Sequence, residues 1–304
     1  MATNDFLPFA GGAGANVLTQ AAYAALSART AGFNAGVAKS AELNKVWRQA
    51  SIMSAALAQL IADNTGLDVI DDGSVATILA NLKTAVGGRL IGVQTFSKPG
   101  TFTYTPTPGT TSVIVEVQGG GGGGGASVST TTGQYSVGSA GQGGGYAKSR
   151  LTSGFSGAAV VVGAGGAGGT AGNNNSATGG TSSFGGIVSG SGGSGGALGA
   201  VQTGLSIINS NGAPGAGVGG NIVNVGGGAS PSTICFSATA ASATPSGSAM
   251  LGGAVGPTSY QGAGYANAGL GYGGGGGGAV SKHIDPAYAG GVGAGGVVIV
   301  WEFA

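Results

Sequence analysis

The hydrophobic period changes part-way along the chain. Between residues 39 and 64, apolar side chains recur at alternating spacings of three and four: Leu43, Val46, Ala50, Met53, Leu57 and Leu60. This spacing predicts a helix and places those residues on the a and d sites of about three heptads. Ser40 and Glu42 suit its start, and Gly66 suits its stop. Residues 15–31, rich in Ala and Leu, predict another helix that ends at Gly32 and Gly36. A short third one is expected over residues 74–86, after the turn Asp71-Asp72-Gly73 and with Ser74 as N-cap. The Leu43–Leu60 stripe has two readings: packing on the chain's own neighbours, or a seam for self-association.

From Leu90 onward the pattern is that of strands. Short β-branched or aromatic runs cover residues 90–96, 101–105, 112–117, 158–163, 181–188, 205–208, 222–225, 233–236 and 296–303, punctuated by Pro and Gly. The last of these is the most strand-like, and it is expected to pair with a strand from the start of its domain. Glycine runs separate the strands at residues 119–125, 163–169, 192–196, 215–220 and 273–278. Collagen is excluded, because no Gly-X-Y period is sustained and only 9 prolines are present. A flexible linker accounts for one such run, not for several interleaved with strands. The better account is a bundle of extended, threefold helices of polyproline-II type. Such helices satisfy no hydrogen bonds internally and bond to neighbours only where glycine permits close approach. The expected fold is therefore mixed: an α-helical N-terminal region, residues 1–88, followed by an all-β glycine-rich domain, residues 89–304.

Composition sharpens this division. Of the 19 charged side chains, 13 lie in residues 1–98, whereas 59 of the 71 glycines lie in residues 119–296. Hydrophobic residues make up 41% and charged ones 6%, so the chain should pack rather than stay disordered. A net charge of +1 gives no electrostatic case for nucleic acid or an anionic membrane. No apolar run is long enough for membrane insertion, and no secretory signal pattern stands at the N-terminus. The expected place of synthesis is the cytoplasm. Cys235 and His283 are the sole residues of their types, which excludes an intrachain disulfide and argues against a metal site. No cofactor is expected.

Motifs of enzymes occur by accident of composition. Gly192-Gly193-Ser194-Gly195-Gly196 satisfies G-x-S-x-G, but no helix follows it to make a nucleophile elbow. Gly163-Ala164-Gly165-Gly166-Ala167-Gly168 satisfies G-x-G-x-x-G, again without a following helix. A glycan depolymerase would need paired carboxylates, and after Lys98 only Glu116, Asp285 and Glu302 remain. Glu116 and Glu302 sit in expected strands with structural roles. The chain therefore reads as a non-enzyme.

Two stretches resemble bacteriophage and prophage tail-fibre proteins. Asn4-Asp5-Phe6-Leu7-Pro8-Phe9, Ala15-Asn16-Val17-Leu18-Thr19, Ala28-Arg29-Thr30-Ala31-Gly32-Phe33 and Asn44-Lys45-Val46-Trp47-Arg48-Gln49-Ala50 are similar to their attachment region. Phe96-Ser97-Lys98-Pro99-Gly100-Thr101-Phe102, Val113-Ile114-Val115-Glu116-Val117-Gln118 before its glycine run, Ser183-Phe184-Gly185 and Gly296-Val297-Val298-Ile299-Val300 resemble their glycine-rich C-terminal domain. The resemblance implies a homotrimer in a virion, docked on the tail or baseplate by its N-terminal region. The C-terminal domain would bind a bacterial surface receptor, glycan or outer-membrane protein, through distal loops. It also favours the seam reading of Leu43, Val46, Ala50, Met53, Leu57 and Leu60. A purely structural tail protein is the alternative. Candidate receptor contacts are Tyr135, Phe236, Tyr260, Tyr265, Tyr272, His283, Asp285 and Tyr288, since aromatic faces suit sugar rings and protein patches alike. Residues 127–132 and 229–248 are candidate tip loops.

Overall fold

The computed structural model describes residues 2–33, 36–210, 212–256, 264 and 266–304. The chain divides into two compact units, Met1–Arg89 and Leu90–Ala304.

The first unit is helical: α1 (Gln20–Ala24), α2 (Ala28–Ala31), α3 (Ser40–Thr65) and α4 (Val75–Ala85). Residues 15–31 thus form two short helices rather than one. The Thr19 hydroxyl caps α1 by accepting from Ala22 N–H, and α2 restarts after Ser27. The break falls between Ala25, the C-cap of α1, and Ser27, whose side chain makes no capping bond. Gly66 closes α3 in the left-handed conformation, φ 70°. Ser74 caps α4 by accepting from Thr77 N–H. Ala58, Ile61 and Ala62 of α3 pack with Val69 and Ala85, and Phe6, Ile78 and Leu82 cover them. This buried face is not the heptad stripe. Val46, Met53, Leu57 and Leu60 are exposed, as is Ala50, and only Leu43 is half-covered.

The second unit contains β1 (Leu90–Phe96), β2 (Gly100–Thr103), β3 (Ser112–Gln118), β4 (Tyr135–Val137), β5 (Tyr146–Leu151), β6 (Ala159–Val162), β7 (Ser182–Phe184), β8 (Val188–Gly190), β9 (Val201–Gln202), β10 (Ser206–Ile208), β11 (Gly217–Val218), β12 (Val223–Val225), β13 (Thr233–Cys235), β14 (Val280–Lys282) and β15 (Val297–Phe303). All pairings among them are antiparallel. One sheet has the order β1-β15-β3-β5-β12 and a second β11-β8-β7-β6-β2. The terminal strand β15 lies between β1 and β3, so it closes the domain on its own beginning. Residues 181–188 are a hairpin rather than one strand. Gly185 and Gly186, with φ of 59° and 67°, turn the chain between β7 and β8.

The inward faces of these two sheets share one core. Val113, Val115 and Val117 alternate inward from β3 and meet Val298 and Val300 of β15, Val160 of β6, Phe184 of β7 and Val188 of β8. Each buried Val stabilises the sandwich by about 1.5–3 kcal/mol.

The glycine runs leave the sandwich and pack on one another. Along residues 119–125 the hydrogen-bond partner changes at every residue and returns at every third. Gly119, Gly122 and Gly125 donate to the carbonyls of Gly145, Gln142 and Ser139 at 2.8, 2.9 and 2.8 Å. Gly120 and Gly123 donate to Gly180 and Ala177, and Gly121 and Gly124 to Ala294 and Gly291. Their carbonyls accept on the remaining sides: Gly120 from Gly193, Gly121 from Gly166, and Gly122 from Gly276. That is a three-residue-per-turn helix with no internal bonds, held by six neighbours. The neighbours also bond one another in a closed ring, through Gly145 to Ser191, Gly179 to Gly193, Gly180 to Ala164, Gly293 to Gly166, Ala294 to Gly274 and Gly141 to Gly276. A second ring surrounds residues 138–145 and adds segments 213–216, 226–228 and 246–248, linked through Gly215 to Gly143, Gly227 to Gly215 and Gly228 to Ser248.

The need for glycine is steric. A Cβ on Gly122 would stand 2.0 Å from the Ser194 carbonyl oxygen, and one on Gly124 1.8 Å from that of Gly277. Both contacts are with backbone, which has no room to give. The expected bundle of threefold helices is present, and every amide along the axis 119–125 is paired.

Candidate functional site

The array is strung between two ends. At one end its segments join sandwich strands: β3 leads into Gly119, β6 into Gly163, β8 into Ser191, and residues 289–296 lead into β15. At the other end they join a cap. This cap comprises the sheet β14-β4-β9 and the two-stranded ribbon β10-β13. Loops over residues 127–134, 170–175 and 283–288 complete it.

A small core holds the cap together. Tyr135 and Val137 of β4, Val280 of β14 and Cys235 of β13 pack with Ala238, Ala241 and Ala243. Tyr135 is fully buried. Its hydroxyl donates to the Gly204 carbonyl at 2.5 Å and shares a bond with the Ser206 hydroxyl. Tyr135 is therefore a core residue that ties two loops, not a contact side chain. Burial pushes the Cys235 thiol above its ordinary range, which suits an inert packing role.

The ribbon β10-β13 alternates as strands do. Ser206 opposes Cys235 and Ile208 opposes Thr233 on the covered side, while Ile207 opposes Ile234 on the outer side. Ile207 is 61% exposed and Ile234 52%. Leu205 and Phe236, two residues along each strand from these, are exposed too. The result is a bare apolar face of Leu205, Ile207, Ile234 and Phe236. Of these, the sequence reading singled out only Phe236. The period-two spacing of Leu205 and Ile207, and of Ile234 and Phe236, is the one trace of the rest in the sequence, and Ile208 and Cys235 blur it.

A turn over residues 282–285 follows β14 in the cap and packs on residues 130–134. His283 and Ile284 have φ of 39° and 63°, a region that a β-branched residue rarely enters. Four hydrogen bonds hold it there. His283 N–H donates to the Gln134 carbonyl at 2.8 Å and Gly133 N–H to His283 Nδ1 at 3.3 Å. Lys282 N–H donates to Asp285 Oδ2 at 2.8 Å, and Thr130 N–H to the Asp285 carbonyl at 3.0 Å. His283 and Ile284 are exposed at its crest. Asp285 is spent on fixing the turn. Burial lowers the pKa of Lys282, against the opposing pull of the Asp285 charge.

The remaining candidates are scattered. Tyr288 is half-buried, and its backbone bonds Ser127. Tyr272 is at the sandwich end of the array, where its N–H donates to the Leu251 carbonyl. Tyr260 and Tyr265 lie outside the described residues. Phe236, His283, Asp285 and Tyr288 thus share the cap, and Tyr272 does not.

The carboxylates of this unit are held by other side chains or backbone. Glu116 pairs with Lys148 at 3.0 Å and accepts from the Tyr146 hydroxyl. Glu302 is fully buried and accepts from Gln94, Tyr104, and both the N–H and the hydroxyl of Thr107. Burial acts to raise its pKa, but these bonds outweigh burial and lower it. Ser194 is in an extended array segment, where its hydroxyl accepts from Ala213 N–H at 3.2 Å. Among the described residues, no group of three or more His, Cys, Asp or Glu is placed to hold a metal ion.

A family model described as a glycine-rich domain matches residues 95–301. No curated protein matches the chain.

Proposed function

We propose, taking as premise that the chain belongs to the glycine-rich domain family, that it is a non-enzymatic adhesin of the bacteriophage tail-fibre kind. The observation that carries this reading is the cap. A platform whose central run, residues 119–125, is bonded to neighbours on all sides ends in an exposed apolar face and a strained, four-times-anchored turn. Rigid scaffolds that present loops are built for recognition. Backbone strain of about 1–3 kcal/mol persists only where surrounding bonds enforce it, and it gathers at functional sites.

The receptor is a bacterial surface protein or glycan met by Phe236, Ile207, Ile234 and the 282–285 turn. The uncovered stripe Val46, Ala50, Met53, Leu57 and Leu60 supports homotrimer formation through α3, with the N-terminal unit docking on a phage tail or baseplate. Several fibres on one particle raise avidity through effective concentration. Occupation of Glu116, Asp285 and Glu302 by structural partners supports adhesion without bond cleavage.

Binding of the fluorescently labelled chain to host cells tests this reading. Bound wild-type protein, and reduced binding by the folded variant Phe236→Ser, is the expected result. A folded wild-type chain that binds no host cells, or one that shortens host polysaccharide, contradicts it.

A further inference from the structure

The array is incomplete on one flank. The segment over residues 191–199 has three rows of backbone groups. Gly193 and Gly196 donate to Gly120 and Gly123, and Ser191 and Ser194 donate to Ala216 and Ala213. The third row, Gly192 and Gly195, donates to no described residue and accepts from none. Leu198, next in that row, is capped by the Asn175 side chain at 2.9 Å. Thr178 N–H on the neighbouring segment is likewise unpaired among the described residues. Between them runs a groove of about 270 Å³, lined by Asn175, Ser176, Thr178, Ser194, Gly195 and Ala213 among others. Behind one wall, the buried Gln142 amide nitrogen has no partner, 3.5 Å from where a Cβ on Gly212 would stand.

We propose that this groove is a vacant position of the array and takes an extended, glycine-rich peptide segment from a partner protein. The groove and such a segment are complementary. Donors and acceptors three residues apart repeat every ~9.3 Å along such a segment, the period of the incoming helix itself. The walls are array segments, so the occupant continues a packing already made on the other sides. The row of the peptide that faces the floor must be glycine, since a Cβ at occupied positions falls about 2 Å from a carbonyl oxygen, as at Gly121 and Gly123. The lining has no aromatic ring for sugar stacking and no charge, which disfavours a glycan or an ionic ligand. Backbone pairing at an open edge is the β-augmentation principle carried to a different helix.

The test is amide NMR on the full chain labelled with 15N-glycine, titrated with the synthetic peptide (Gly-Gly-Pro)5. Its glycine rows fit the floor, and its proline row pre-sets the extended form while facing solvent. The expected result is saturable shifts at Gly192 and Gly195 with exchange slowed there at least about ten-fold. The peptide (Ala-Ala-Pro)5 should give none, and Thr178→Trp, which fills the groove from an exposed position, should abolish the response. Should Thr178→Trp misfold, Ala213→Lys on the other wall serves the same purpose. Equal response to the alanine peptide, shifts confined elsewhere, or the same amides answering a neutral oligosaccharide would overturn the proposal. So would protection of these amides by self-association of the chain alone, seen by light scattering.

Discussion

The Tyr104 hydroxyl donates to Glu302 at 2.6 Å across 198 residues of sequence, joining the start of the glycine-rich unit to its last strand. Gly92 makes room for this carboxylate, because a Cβ there would stand 2.4 Å from Glu302 Oε2. Desolvation and the Glu302 charge both push the Tyr104 phenol upward. The carboxylate itself is held below its usual range by its hydrogen bonds. The sign follows from linkage. A depressed folded pKa gives stability that is present above the unfolded value of about 4.3 and is lost as pH falls through the folded one. Acid unfolding of wild type should therefore steepen below about pH 4, and Glu302→Gln should flatten that slope. At neutral pH the same variant should cost about 2 kcal/mol, the worth of charge-assisted bonds lost. Circular dichroism melts across pH check both.

Glycine positions should differ sharply in tolerance. Gly122→Ala drives a Cβ into the Ser194 backbone and should cost at least about 3 kcal/mol or prevent folding. Gly226→Ala meets its nearest atom at 3.6 Å, an ordinary contact, and should be neutral or stabilise by up to about 1 kcal/mol. Chemical denaturation of the two variants provides the comparison.

The 282–285 turn predicts a trade between stability and adhesion. Ile284→Gly relieves a left-handed strain of about 1 kcal/mol and should raise the melting temperature. It should also weaken cell binding, since it deletes an exposed apolar contact. Tyr135→Phe should do the reverse: about 1 kcal/mol of lost stability, with binding unchanged in the folded fraction.

Met53→Glu places a charge on the uncovered stripe of α3, where Met53 is 63% exposed. Glu keeps helix propensity, so helicity of a single chain should persist while light-scattering mass falls from trimer to monomer. Wild type that is monomeric at micromolar concentration contradicts the seam.

Much of this was legible from local pattern. Leu90–Phe96 appears as a strand with the expected bounds, and Gly66 and Ser74 act at the helix ends they mark. Glycine interleaved with strands was enough to infer threefold helices. The strand Tyr146–Leu151 was not among the expected strands, since Lys148 and Arg150 give it no apolar run. It forms because Glu116, directly opposite on β3, neutralises Lys148. Tyr135 was misplaced for a similar reason. Its partners Gly204, Ser206 and Cys235 are about 70–100 residues away, a pairing no local pattern encodes. The apolar ribbon face was visible only in part, since two three-residue strands give too short an alternation to separate an outer face from a core one.

The glycine runs form one hydrogen-bonded array. Residue-resolved amide exchange measures that directly. The prediction is strong protection throughout Gly119–Gly125, with neighbouring Gly193 and Gly196 protected and Gly192 and Gly195 exchanging freely. Exchange at unfolded-chain rates along residues 119–125 would contradict it.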